Sequence, residues 1–157
     1  MEFIEICYLD TNLRIYESGI VYRQIRGTCA YGKKGDWVLV NVAMRKDEYY
    51  QIRISKKFIL IHRLIAYAYL GLDITDSKIK VDHINRDPSD NRVCNLRLVT
   101  TQQNAFNTNA KGYRKTKYGR YQAQIMVNGV FEHLGIYATL EEARNKYLEA
   151  KKIKHVI

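Results

Sequence analysis

The strongest constraint on what this chain can fold into is residues 85–95, Asn-Arg-Asp-Pro-Ser-Asp-Asn-Arg-Val-Cys-Asn. The stretch is dense in turn formers and holds the only proline, so it continues neither a strand nor a helix. Before it stands Val81-Asp82-His83-Ile84, which reads as a short strand. After it Leu96 to Val99 (LRLV) reads as the return strand. Thr100 and Gln103 then have the T-x-x-Q capping-box spacing and predict a helix carrying Asn104 in its first turns. Strand, loop, strand and helix follow one another within residues 81–107.

The flanking sequence supplies further elements. Residues 49–61 (YYQIRISKKFILI) alternate apolar and polar on both sides of Lys56-Lys57, a hairpin pattern. His62 to Leu70 (HRLIAYAYL) has the composition of a short buried helix, with Gly71 as its stop. Residues 1–48 read as short strands and turns. After Asn109, GRYQAQIMV and VFEHLGIY alternate around Asn128-Gly129, a strong hairpin dipeptide. Thr139 and Glu142 form a second capping box, at the head of the amphipathic segment TLEEARNKYLEAKK. The fold class expected is α+β in three parts. These are a β-rich amino-terminal extension (1–48), a central strand-strand-helix unit (49–109), and a three-stranded antiparallel sheet plus helix (110–157).

Charge narrows the partner. The formal net charge is +10, and the excess lies entirely beyond residue 49. Residues 50–109 carry nine basic against five acidic groups, and residues 110–157 ten against four. Such a balance attracts polyanions. No apolar run reaches membrane-spanning length and no signal peptide is read, so an intracellular, cytoplasmic setting is expected. Cys7, Cys29 and Cys94 are widely separated and form no C-x-x-C pair, which argues against structural zinc and for free thiols.

The central unit offers chemistry. Neighbours on a strand point to opposite faces, so Asp82 and His83 cannot serve one side together. One could bind a metal while the other faces a substrate phosphate. The return strand would bring the helix, and Asn104, back toward Asp82. Aspartate and asparagine offer hard oxygen ligands, suited to magnesium or manganese rather than zinc. A neutral histidine beside them could take a proton from water.

The string VDHINRDPSDNRVCNLRLVTTQQN, with the upstream helix HRLIAYAYLG, resembles the HNH endonuclease family, specifically its zinc-free members among homing endonucleases and phage enzymes. The resemblance implies a ββα-metal (His-Me finger) nuclease unit. On it Asp82 and Asn104 match the two metal-ligand positions and His83 the general base. Asn95 matches the central asparagine, which holds the base's strand through backbone hydrogen bonds. The motif is of H-N-N form, with asparagine where many relatives have a final histidine. That implies one Mg2+ or Mn2+ ion per site and no zinc. Asn91 matches a recurring loop asparagine and is read as structural. His62 is read as a capping or packing group, Arg63 as a possible phosphate contact, and His133 and His155 as non-catalytic.

Residues 110–154 resemble the plant ethylene-response (APETALA-like) DNA-binding domain, through KGYR, GRYQAQI, NG, HLGIY and TLEEARNKY. In that family the three-stranded sheet enters the major groove. The resemblance nominates Lys111, Arg114, Lys117, Arg120, Tyr121, Gln122 and Gln124 as DNA contacts.

The function expected is a metal-dependent endonuclease hydrolysing phosphodiester bonds in duplex DNA, site-specific and homing-type, nicking or cutting both strands. Its setting could be a phage or virus, and a monomer is expected over a dimer. The alternative is a sequence-specific DNA-binding protein whose nuclease centre has decayed, which leaves the joint spacing of Asp82, His83, Asn95 and Asn104 unexplained. An RNA-binding module would need an exposed aromatic platform motif that the sequence lacks.

Overall fold

The protein, here a computed structural model that describes residues 2–155, divides into two compact units between Thr100 and Thr101. Among the described residues the architecture is α+β, with four small antiparallel sheets, three α-helices and a short 3-10 turn at Val93–Asn95.

The first unit begins with β1 (Phe3–Tyr8), β2 (Thr11–Tyr16), β3 (Val21–Gln24) and β4 (Trp37–Leu39), paired in that order. β5 (Ala43–Met44), β6 (Tyr50–Ile54) and β7 (Lys57–Leu60) form a second sheet. The β6–β7 turn falls at Ser55-Lys56, both with positive φ (45° and 73°), one residue earlier than the Lys56-Lys57 pair on which the sequence pattern centres. Helix α1 (Ile61–Tyr69) follows directly. Gly71, at φ +69°, ends it while the Leu70 and Leu72 amides donate to the Ala66 carbonyl. β8 (Ile79–His83) and β9 (Leu96–Thr100) pair as a two-stranded ribbon.

One core joins these pieces. Leu13 and Ile15 from β2, Val21 from β3, Ile52 and Ile54 from β6, Ile59 from β7, and Ile61, Leu64 and Ile65 from α1 are buried together with Val81 and Leu96. Alternation along β2 and β6, and the three-to-four-residue spacing along α1, put these side chains on single faces. The amino-terminal strands therefore share a core with residues 49–100, and position 48 is no break in the packing. The division at Thr100 also differs from the sequence boundary at 109, because the helix following β9 clusters with the carboxy-terminal residues.

The second unit holds α2 (Thr101–Phe106), β10 (Tyr113–Lys115), β11 (Tyr121–Val127), β12 (Val130–Tyr137) and α3 (Leu140–Lys154). The three strands pair in sequence order. Asn128 and Gly129, with φ of 51° and 78°, make the β11–β12 turn that the dipeptide predicts. The Thr139–Glu142 capping box opens α3, with both of its reciprocal bonds formed. Ala143, Tyr147 and Ala150 are buried on α3, and Tyr147 and Ala150 pack with Ile125 of β11. Gly112, at φ +75°, permits this packing, since a Cβ there would lie 1.9 Å from the Tyr147 ring. Cys7, Cys29 and Cys94 are exposed free thiols, and no helix among the described residues is long and apolar enough to cross a membrane.

The β2–β3 turn lies hard against the loop that leaves β8. A Cβ on Gly19, at φ +88°, would sit 3.0 Å from the Asn91 carbonyl oxygen, tighter than an ordinary contact. The Val93 amide donates to the Glu17 carbonyl at 2.9 Å. Substitution Gly19→Ala is expected to cost about 1–3 kcal/mol through backbone strain and this contact. Urea unfolding would read it as a lowered midpoint, and an unshifted midpoint would contradict the packing.

Candidate active site

Asp82 and His83 sit at the end of β8, both nearly inaccessible, at 7% and 4% exposure. Their side chains take opposite faces, as strand geometry requires. On one face Asp82 stands directly across from Arg97 of β9 in the strand register. Arg97 donates from Nε (2.9 Å) and Nη2 (2.7 Å), both to Asp82 Oδ2. On the other face His83 meets the start of α1. Its ring lies 5.2 Å from that of His62, at 73°, and 5.8 Å from that of Tyr49, with Tyr49 and His62 5.0 Å apart.

The proline-containing loop is built around two asparagines. The Asn95 side chain accepts from the Asn85 amide (3.0 Å) and donates to Asn85 Oδ1 (3.0 Å) and the Asp90 carbonyl (2.8 Å). Its backbone carbonyl accepts from the Ile84 amide. Asn95 thus ties the start of the loop to its end. Asn91 places Oδ1 3.4 Å from His83 Nε2 and donates from Nδ2 to the Ser89 carbonyl (3.1 Å). Exposed Arg92 bonds Asp90 through Nε and Nη2, which lowers the Asp90 pKa to about 2.

Burial lowers the pKa of both histidines. His62 falls to about 3, from desolvation first and then the neighbouring His83 and Arg63. His83 falls mainly by desolvation, opposed by its Asn91 bond and by the Asp82 charge. Both rings are therefore neutral at pH 7, the form in which an imidazole can accept a proton.

Asp82 offers carboxylate oxygen, the donor type that hard divalent ions take. Among the described residues no group of three or more His, Cys, Asp or Glu side chains is placed to hold a metal. Asn104 lies exposed on α2, in the second unit.

Arg63 takes another role than the phosphate contact expected of it. Its guanidinium is partly buried and donates to the carbonyls of Ile74 (3.2 Å), Asp76 and Ile79 (3.5 Å each), so it fastens the connection into β8. In the second unit, Arg114, Gln122 and Gln124 share the sheet face opposite α3, and Arg114 donates to Gln122 Oε1 from Nε (3.2 Å) and Nη2 (3.0 Å). Exposed Met126 and Phe131 lie on the same face, paired across β11 and β12. Tyr121 has the parity of Ala123 and Ile125 and points to the helix side, its ring 6.0 Å from Tyr113. Lys117 and Arg120 are exposed in the β10–β11 turn, and Lys111 is exposed before β10. The sequence reading missed Arg97 and Tyr49. Arg97 is signalled only by strand register, Tyr49 only by tertiary packing.

Residues 60–106 match the HNH endonuclease family model. The match contains α1, β8, the loop, β9 and all of α2, and so every buried polar group described above. A curated relative, an uncharacterised HNH endonuclease of Acanthamoeba polyphaga mimivirus, is 37% identical over 91 residues. That alignment covers 55% of this chain and 48% of the relative, so the chain spans about half the relative's length. Among solved structures, the HNH homing endonuclease I-HmuI, described for DNA binding and cleavage, aligns with a TM-score of 0.47 at 20% identity. The alignment covers 92% of this chain and 85% of that one.

The neutral buried histidines set a pH dependence of stability. Their folded pKa values lie below the unfolded value near 6.5, so the unfolded chain binds more protons at lower pH. Stability is complete above about pH 6.5 and declines as pH falls from there toward 3. Urea midpoints should drop between pH 7 and pH 4.5, and His62→Phe should flatten that drop. A wild-type midpoint that stays level over this range would contradict the assignment.

Proposed function

We propose that this chain is a metal-dependent endonuclease that hydrolyses phosphodiester bonds in duplex DNA, site-specifically and in the manner of homing enzymes. One observation carries the reading. Among the described residues, the buried polar or charged side chains are His62, Asp82, His83, Asn91 and Asn95. All five belong to β8, the loop that follows it, or the first turn of α1, and all lie inside the HNH match. Polar burial is unfavourable, and its concentration in one place is the mark of a site retained for chemistry.

In this reading His83, kept neutral by burial, accepts a proton from the attacking water. Asp82 would be a ligand for one Mg2+ or Mn2+ ion, and Arg97 fixes one of its carboxylate oxygens. A bound divalent ion supplies stabilisation of the charge that develops on the phosphate and the leaving oxygen. Asn95 holds the loop so that the strand end stays in place. The role of Asn104 as a metal ligand rests on the sequence pattern alone.

Residues 110–157 are the DNA-gripping module of this proposal, of APETALA-like kind. Support comes from their net charge and from the outer sheet face, where Arg114, Gln122 and Gln124 present groups able to bond base edges. Lys111, Lys117 and Arg120 are placed to neutralise phosphates. Tyr121 drops out of the contact set because it faces α3. The proposal extends to a monomer acting inside the cell.

A supercoiled plasmid tests the reading. With Mg2+ or Mn2+ the protein is expected to nick or linearise it, and EDTA should abolish the reaction. His83→Ala should lose cleavage by on the order of 100-fold or more while DNA binding persists. Equal cleavage by wild type and His83→Ala would remove His83 as the base.

A further inference from the structure

A histidine can work as a base only through the nitrogen that lacks a proton, so which nitrogen that is matters as much as its pKa. At His83, Nε2 faces the Asn91 side chain. The Asn91 amide is oriented by its own donation from Nδ2 to the Ser89 carbonyl, which turns Oδ1 toward His83 Nε2. A carbonyl oxygen accepts and never donates. The contact is attractive only with the proton on Nε2, and the lone pair is then on Nδ1.

We infer that Asn91 is a positioning residue that fixes His83 in the Nε2–H tautomer and so makes Nδ1 the proton acceptor of the site. The catalytic consequence rests on the hydrolase reading, whereas the tautomer does not.

The surroundings are built to hold this arrangement. Asn91 is buried, and His62 and Tyr49 pack against the His83 ring and restrict its rotation. Behind Asn91, Gly19 brings the β2–β3 turn against its backbone carbonyl, and Glu17 accepts from the Val93 amide. The amino-terminal sheet thereby gains a role, as the buttress of the loop that orients the base.

Two substitutions separate this role from a merely structural one. Asn91→Asp keeps an acceptor oxygen for His83 but loses the donor to Ser89. Asn91→Leu loses both. Nitrogen-15 spectra of the His83 ring, recorded without metal, report the tautomer directly, and the exchange rate of the Nε2 proton reports its hydrogen bond. Wild type and Asn91→Asp should show a slowly exchanging Nε2 proton, which Asn91→Leu should expose to rapid exchange. Single-turnover DNA cleavage should fall on the order of 10–100-fold in Asn91→Leu, a loss of the size seen when an orienting partner is removed. It should be largely retained in Asn91→Asp, with DNA affinity equal in all three.

A His83 proton on Nδ1 in the wild type would overturn the inference. So would Asn91→Asp behaving like Asn91→Leu, which would show that the Ser89 bond is what matters. A wild type that cleaves no DNA but shows the spectrum described would remove the hydrolase reading and leave the tautomer assignment standing.

Discussion

The side-chain amide of Asn95 closes the loop between β8 and β9, and the geometry of the site follows from that closure. By bonding the Asn85 amide at one end and the Asp90 carbonyl at mid-loop, it satisfies backbone groups that the turn leaves without partners. It also fixes how far β9 slides along β8. In an antiparallel ribbon a slip of one residue turns every side chain to the other face. With the observed register Arg97 stands across from Asp82 and His83 across from Leu96. With another, the carboxylate would be buried with no cation beside it, an arrangement costing several kcal/mol.

The polar cluster around β8 is stabilised from outside itself. Val81 and Leu96 flank it in the same core as α1 and β2. Arg63 and the β2–β3 turn hold the two chain segments that enter and leave it. An apolar frame carries a small set of buried polar groups, in which burial keeps the His83 imidazole neutral and Asn91 bonds its ring. In the proposed hydrolysis, reorganisation at the moment of proton transfer would then be small.

Much of this was legible in the sequence because much of it is local. The Asn128-Gly129 turn, the Thr139 capping box, helix α1 and its Gly71 stop each depend on residues within a few positions of one another. The opposite facing of Asp82 and His83 followed from strand alternation alone. What could not be read depends on partners far along the chain. Arg97 meets Asp82 only once the register is fixed. Arg63 looks like a solvated cation until the carbonyls of Ile74, Asp76 and Ile79 turn toward it. Tyr121 stands among basic neighbours in the sequence, yet its parity in β11 is decided by which face α3 covers. The unity of the amino-terminal strands with the core was hidden for the same reason, since Leu13 and Ile15 find their partners beyond residue 50.

The central claim is that Asp82 and His83 act together as one hydrolytic unit held by the surrounding polar network. Groups that act as a unit lose activity in a non-additive way, so that removing either costs nearly as much as removing both. Single-turnover DNA cleavage by Asp82→Ala, His83→Ala and the double variant measures this directly. The account predicts that the double variant is little slower than the slower of the two single variants. Losses that multiply, or cleavage by the double variant at the wild-type rate, would contradict it.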